Sequence, residues 1–69
     1  MNNEQFLKSM GAKIKARRKE MKMGLPTLSA LCKTDMSNLW FIENGERNTH
    51  ILTLKSIADI LGVDIKDFM

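Results

Sequence analysis

The chain has 69 residues, with 11 Lys or Arg against 8 Asp or Glu and a single Cys. A chain of this length buries only about 60% of its unfolded surface, so we expect one domain without separate cofactor and substrate halves. One cysteine excludes an internal disulfide, and the longest apolar run is four residues, whereas a membrane span needs roughly 20. The first residues also lack the charged start of a signal peptide. We therefore expect a cytoplasmic protein with no membrane partner.

The basic residues are concentrated at the start of the chain. Residues 1–22 carry seven basic side chains against two acidic ones, a net charge of +5, while residues 23–69 have a net charge of −2. Such a basic segment is typical of proteins that bind phosphate polymers or anionic lipids. It is also typical of the solvated face of an ordinary helix, and charge alone leaves both interpretations open.

Apolar residues at helical spacing predict a compact, all-α domain of five helices. Pro26 fits only the first turn of a helix, Asn44-Gly45 and Gly62 are typical of helix ends, and Asp35 is expected to cap the third helix. The predicted helices cover about 5–22, 25–32, 36–43, 51–61 and 64–68. The second and third, with the three-residue break between them, have the spacing of a helix-turn-helix. That spacing alone is weak evidence, because many small helical domains contain such a corner.

The sequence offers almost no catalytic or metal-binding material. His50 is the only histidine and is expected at a helix start, and Cys32 has no His or Cys neighbour at metal-ligand spacing. Cys32 is expected to pack as a small apolar residue on the inner side of its helix. We therefore predict no enzymatic activity, no cofactor and no metal.

A run near the middle of the chain carries a more specific signal. The segment Ile42-Glu43-Asn44-Gly45-Glu46-Arg47-Asn48 resembles the signature at the end of the recognition helix in one family of helix-turn-helix domains. Those are the small domains of phage repressors and of the controller proteins of restriction–modification systems. Gly11, Ile14 and Arg18 also match that family, and the resemblance extends over about residues 10–68. It implies a lambda-repressor-like fold and a homodimeric regulator of transcription.

The resemblance also implies a role for individual residues. Arg18 and Glu43 would form an internal ion pair. Residues facing base edges would be Met36, Ser37, Asn38 and Phe41, and those gripping phosphates would be Asn44, Arg47, Asn48 and Thr49. The expected dimer surface comprises Ile51, Leu54, Ile65, Phe68 and Met69, with the alternative that Phe68 fills the core of its own subunit. The implied partners are double-stranded DNA, a second copy of the chain and RNA polymerase.

Two departures from the family bear on function. Gly24 and Leu25 stand where the family usually has Ser or Thr followed by Gln to hold a phosphate. The predicted recognition helix is apolar, and on a helical wheel Trp40 and Phe41 point away from the core. These rings could fold back over the core or over methylene stems. Alternatively the face could read bases, with Phe41 or Met36 against thymine methyl groups and Asn38 on adenine. A third interpretation makes the two rings a protein-binding surface on a domain with weak or lost DNA binding.

Overall fold

A computed structural model describes residues 2–69, which form four α-helices and a closing 3-10 helix and contain no β-strand. The helices are α1 (Asn3–Glu20), α2 (Leu25–Cys32), α3 (Met36–Glu43) and α4 (Ile51–Leu61). The predicted all-α fold with a helix-turn-helix is confirmed. None of the helices in the described part of the chain is long and apolar enough to cross a membrane.

The fifth predicted helix, at 64–68, is present as a short 3-10 helix and not as an α-helix. Ile65–Phe68 is a single 3-10 turn, in which the amide of Asp67 bonds to the carbonyl of Asp64 and the amide of Met69 to that of Lys66. Four residues are too few to build an i to i−4 ladder, so the tighter i to i−3 pattern takes its place. The expected acidic cap is present, because the Asp64 side chain accepts from the Lys66 amide and Asp67 bonds back to the amide of Asp64.

The core draws side chains from every helix. α1 packs across α3 and the 3-10 helix, and α2 packs against α3 and α4. The buried apolar side chains are Met10, Ile14, Leu28, Leu39, Ile42, Leu54, Ile57, Ala58, Leu61 and Phe68.

Two residues predicted at the dimer surface belong to this core. Leu54 is 3% exposed and Phe68 2% exposed. Phe68 is the largest fully buried side chain of the described residues, as expected where a small core needs a large ring to fill it. Phe68 therefore fills the core of its own subunit, as the alternative interpretation proposed. Neither Leu54 nor Phe68 is accessible to a partner subunit.

All four α-helices end in the same hydrogen-bonded turn. One or two residues past the end of each helix, a residue adopts the left-handed conformation. Its amide and the next one bond back to carbonyls of the last helical turns, which is a Schellman motif. The left-handed residue is Gly45 after α3 and Gly62 after α4, as the sequence pattern indicated, but Lys22 after α1 and Lys33 after α2. Both lysines have φ near +55° (54° and 55°), a conformation that strains side chains with a Cβ.

Candidate nucleic-acid interface

The outer face of α3 is open to solvent, while its inner face is part of the core. Leu39 and Ile42 are fully buried, whereas Met36 is 47% and Trp40 48% exposed. Ser37 is exposed, and Asn38 and Phe41 are half-buried. All four residues predicted to face base edges are therefore at least partly accessible.

Asp35 stands at the N-cap of α3, but its side chain makes no capping hydrogen bond, so the expectation that it caps this helix is wrong.

The turn between α2 and α3 is fixed by bonds within the turn itself. Lys33 is in the left-handed region, the amide of Thr34 bonds to the carbonyl of Ser29, and the Ser29 hydroxyl donates to the carbonyl of Thr34. These bonds set the angle at which α3 leaves α2. The angle is thus defined without the side-chain cap that the sequence predicted at Asp35.

A buried ion pair anchors the C-terminal end of α3 to α1. The guanidinium of Arg18 donates from Nε to Oε2 of Glu43 at 2.7 Å and from Nη2 to Oε1 at 2.9 Å. Nη1 donates to the carbonyl of Met23 at 3.0 Å. The hydrogen bond with Glu43 raises the pKa of Arg18 above its ordinary value, against the lowering effect of burial. The pair turns the only charged residue of α3 inward, away from the exposed face.

Gly11 permits this close approach of α1 and α3. A Cβ at this position would overlap the carbonyl oxygens of Ile42 and Glu43. Gly45 is similarly tight, since a Cβ there would lie 2.6 Å from the Cα of Lys8 on α1. The two glycines therefore let α1 pack directly on the end of α3 and the start of the following loop.

The loop after α3 folds back onto the exposed face of that helix. Arg47 Nη1 donates to Asn38 Oδ1 at 3.0 Å, and Arg47 Cζ lies 4.6 Å from the centre of the Phe41 ring. The structure thus brings together Asn38 and Phe41, predicted to contact bases, and Arg47, predicted to contact phosphate. Sequence reasoning did not anticipate this contact, because it joins residues nine positions apart across an irregular loop.

Trp40 completes the aromatic surface beside Phe41. The two rings meet edge to face, with centroids 5.2 Å apart and planes at 85°. Neither ring is among the partly buried side chains that pack against the core. Trp40 is 48% exposed and so does not fold back over the core, whereas Phe41 is half-buried beneath the Arg47 guanidinium. The other two interpretations of this face stay predictions.

The other predicted phosphate contacts lie in the same loop and shape its backbone. Asn44 Nδ2 donates to the carbonyl of Trp40 at 2.8 Å, and Asn48 Oδ1 accepts from the amide of Thr49 at 2.8 Å. The Thr49 hydroxyl lies 3.4 Å from the carbonyl of His50. Asn48 also lines a shallow open cleft of about 400 Å³ with Asn3, Phe6 and Leu7 of α1.

Two basic residues of α1, Lys13 and Arg17, form hydrogen bonds away from this face. Lys13 donates to the carbonyl of Met69 at 3.2 Å, and Arg17 to that of Leu61 at 2.9 Å. Both therefore stand beside the end of α4 and the C-terminus. Lys8 is nearer, next to Gly45, and pairs with Glu4 on the surface of α1. Positive charge on the outer face of α3 itself comes from Arg47.

His50 and Cys32 occupy structural positions. His50 is the N-cap residue of α4, without a side-chain capping bond, and Cys32 packs partly buried against the core. Burial raises the pKa of the Cys32 thiol, and a hydrogen bond with Ser56 opposes that shift.

No protein-family model matches the chain. No curated protein matches it either.

Solved structures do match it. The restriction-modification controller protein C.AhdI from Aeromonas hydrophila superposes with a TM-score of 0.87 at 22% identity, over 91% of this chain and 96% of that one. The clp gene regulator ClgR from Corynebacterium glutamicum gives 0.88 at 21% identity, over 91% of this chain and 67% of that one. The DNA-binding domain of BldD gives 0.84 at 22% identity, over 100% and 99%. The chain therefore has the fold of these domains, as its resemblance to controller proteins predicted.

Proposed function

We propose that this protein is a sequence-specific, DNA-binding regulator of transcription that inserts α3 into the major groove. The observation that carries the proposal is the accessible outer face of α3, held on a helix whose other face and C-terminal end are locked into the domain. The likeness to a controller protein, a gene regulator and a DNA-binding domain supports it. In this proposal Met36, Ser37, Asn38 and Phe41 face base edges, and the loop of Asn44, Asn48 and Thr49 follows the backbone.

The dimensions of α3 suit this role. An α-helix with its side chains is about 10–12 Å across, which fits a major groove about 12 Å wide. The eight residues of α3 give it a length of about 12 Å. Glu43, the one acid of α3, is buried against Arg18, so no negative charge of this helix opposes the phosphates.

A single subunit neutralises few phosphates, so we infer binding as a homodimer. Two copies of α3 would enter successive major grooves about 34 Å apart on a two-fold operator. Of the expected dimer residues, Ile51 and Met69 are exposed and Ile65 is half-buried. Leu52, which sequence reasoning left out, is 76% exposed and joins this set. Bound to its operator, the dimer would block RNA polymerase or contact it.

The test begins by selecting duplexes from a random pool with the purified protein. The selected duplex and a scrambled one are then titrated at two salt concentrations, with Trp40 fluorescence as the signal. We expect saturable binding that favours the selected duplex and weakens as salt rises. Asn38→Ala should weaken this preference. Lys19→Ala, which removes an exposed charge of α1 outside both the face of α3 and the expected dimer surface, should leave it unchanged.

A competing function uses the same face. Trp40 and Met36 are about half exposed, which favours a protein-interaction module on a domain with lost DNA binding. If no duplex is selected and gel assays show no complex, while Trp40→Ala abolishes the biological activity, this second function replaces the first.

A further inference from the structure

We propose that Arg47 reads a guanine base in the major groove, with Phe41 and Asn38 as the side chains that position it. This inference rests on the proposed function and changes the role expected for Arg47, which the resemblance placed on a phosphate. The new role follows from the position of the Arg47 guanidinium against Asn38 and Phe41.

The Arg47 guanidinium lies over α3, against two half-buried side chains at the edge of its exposed face. Asn38 and Phe41, its two partners, are three residues apart and so share one stripe of the helix. That stripe is the part of α3 that would enter the groove. A side chain held there meets base edges before it meets the phosphates at the groove margins.

Arg47 is also the side chain of this face best suited to read a base. Bidentate donation from Arg to guanine O6 and N7 is the commonest specific contact in the major groove. Nη1 uses one of its hydrogens on Asn38, and the guanidinium has five N–H donors in a fixed plane. Enough donors therefore remain for two parallel bonds to one guanine.

The Phe41 ring holds the guanidinium in place before DNA arrives. The 4.6 Å separation between Arg47 Cζ and the ring centre is within the range of a cation–π contact, and Trp40 supports Phe41 edge to face. An arginine already fixed on a ring loses less rotamer freedom on binding than a free one. The two aromatic residues, unusual on a helix of this kind, thus have a positioning role.

The same geometry changes what Asn38 can read. A bidentate contact with adenine needs both the carbonyl oxygen and the amide nitrogen of Asn, and the oxygen of Asn38 accepts from Arg47. Asn38 is therefore a positioning residue for Arg47, and the base specified by this cluster is guanine and not adenine.

The experiment compares duplexes selected by the wild-type protein and by Arg47→Ala, with Lys19→Ala as the charge-matched control. The wild type and the control should select a guanine at one fixed position in each half-site. Arg47→Ala should lose the preference at that position alone. Replacing that guanine by 7-deazaguanine, which lacks the N7 acceptor, should weaken wild-type binding about tenfold and leave Arg47→Ala binding unchanged.

The positioning role has a separate readout, the ratio of affinities for guanine and adenine at that position. Phe41→Leu removes the ring and should lower this ratio, while Phe41→Tyr keeps the ring and should preserve it. Asn38→Ala should lower the same ratio, with no further loss in an Arg47→Ala background. Circular dichroism confirms that each variant is folded.

One result would overturn the inference while leaving the proposed function intact. Arg47→Ala would weaken binding to all duplexes by one factor, keep every base preference and reduce the salt slope by about one contact, as expected of a phosphate contact. If instead the wild type selects no sequence at all, the proposed function fails, and this inference fails with it.

Discussion

Arg18 on α1 and Glu43 at the end of α3 are joined by two hydrogen bonds, and their side chains are only 10% and 3% exposed. They are the two charged residues that the core encloses. Because a buried charge without a partner is strongly unfavourable, each of them depends on the other. The orientation of α3 on α1 therefore depends on both residues, because the loss of either side chain leaves the other charge buried without a partner.

We expect Arg18→Met and Glu43→Gln each to lower the free energy of unfolding by about 3–5 kcal/mol, because each leaves the other partner buried and unpaired. The double variant Arg18→Met/Glu43→Leu should be more stable than either single variant, since it buries no uncompensated charge. Urea denaturation of the four proteins measures this. Single-variant losses below about 1 kcal/mol would instead describe a surface-type pair.

Gly11→Ala should lower the free energy of unfolding by about 1–3 kcal/mol. The new methyl group would meet backbone oxygens of α3, which can move only if the whole helix moves. Gly24→Ala is the matched control, because a Cβ there meets only Pro26 at 3.6 Å, and its effect should stay below about 1 kcal/mol. Thermal denaturation followed by circular dichroism compares the two, and equal losses would contradict the close approach at Gly11.

Lys33→Gly should stabilise the protein by about 0.5–1 kcal/mol, since glycine adopts the left-handed conformation without the strain that a Cβ causes there. Lys22→Gly should act in the same direction. Lys15→Gly, in the middle of α1, should destabilise by about 1 kcal/mol. Urea midpoints of the three variants provide the comparison, and a loss of stability in Lys33→Gly would show that the lysine side chain itself contributes there.

Cys32 should react slowly with iodoacetamide in the folded protein at pH 8 and faster in urea, because burial raises the pKa of its thiol. The folded state therefore keeps this thiol protonated to a higher pH than the unfolded state does. The resulting stability is fully present below the unfolded pKa of about 8.5 and is lost as pH rises through the folded pKa. The unfolding free energy of the wild type should thus fall more steeply above about pH 8.5 than that of Cys32→Ala. Mass spectrometry follows the alkylation, and equal rates in both states would contradict burial of the thiol.

Ile51→Asp and Leu52→Asp should shift the protein toward monomer with little change in unfolding free energy, because both side chains are exposed in one subunit. Phe68→Asp should instead unfold the chain, since it places a charge in the core. Sedimentation at micromolar concentration measures the first effect and circular dichroism the second. A monomeric wild-type protein would overturn the proposed dimer. Exposed variants that dimerise as well as the wild type would exclude Ile51 and Leu52 from its interface.

Much of the fold could be predicted because it depends on local patterns. The 3.6-residue spacing of Leu54, Ile57 and Leu61 marks the inner face of α4, and Gly45 and Gly62 mark helix ends by their tolerance of positive φ. Lys22 and Lys33 adopt the same conformation with no such signal. There the hydrogen-bonded turn and the packing after it outweigh the preference of the residue.

The candidate site was less predictable, because its key contacts cross the loop after α3. The positions of Asn38 and Phe41 on the exposed side of α3 follow from its helical period. That Arg47 lies over both depends on the path of Glu46 to Thr49, for which no periodic pattern exists. The same limit applies at the C-terminus. Its apolar residues are compatible with either the core or a dimer interface, and only the packing in the structure places Phe68 in the core.

Gly11 and the Arg18–Glu43 pair together fix the position of α3 against α1 within the subunit. In a dimer, the distance between the two reading helices would then depend only on how the subunits meet. Operator spacing and half-site sequence could change independently in evolution, the first through surface residues of α4 and the C-terminus, the second through α3 and its loop. If the protein has the function proposed above, it could acquire a new operator spacing without any change in the helix that contacts the bases.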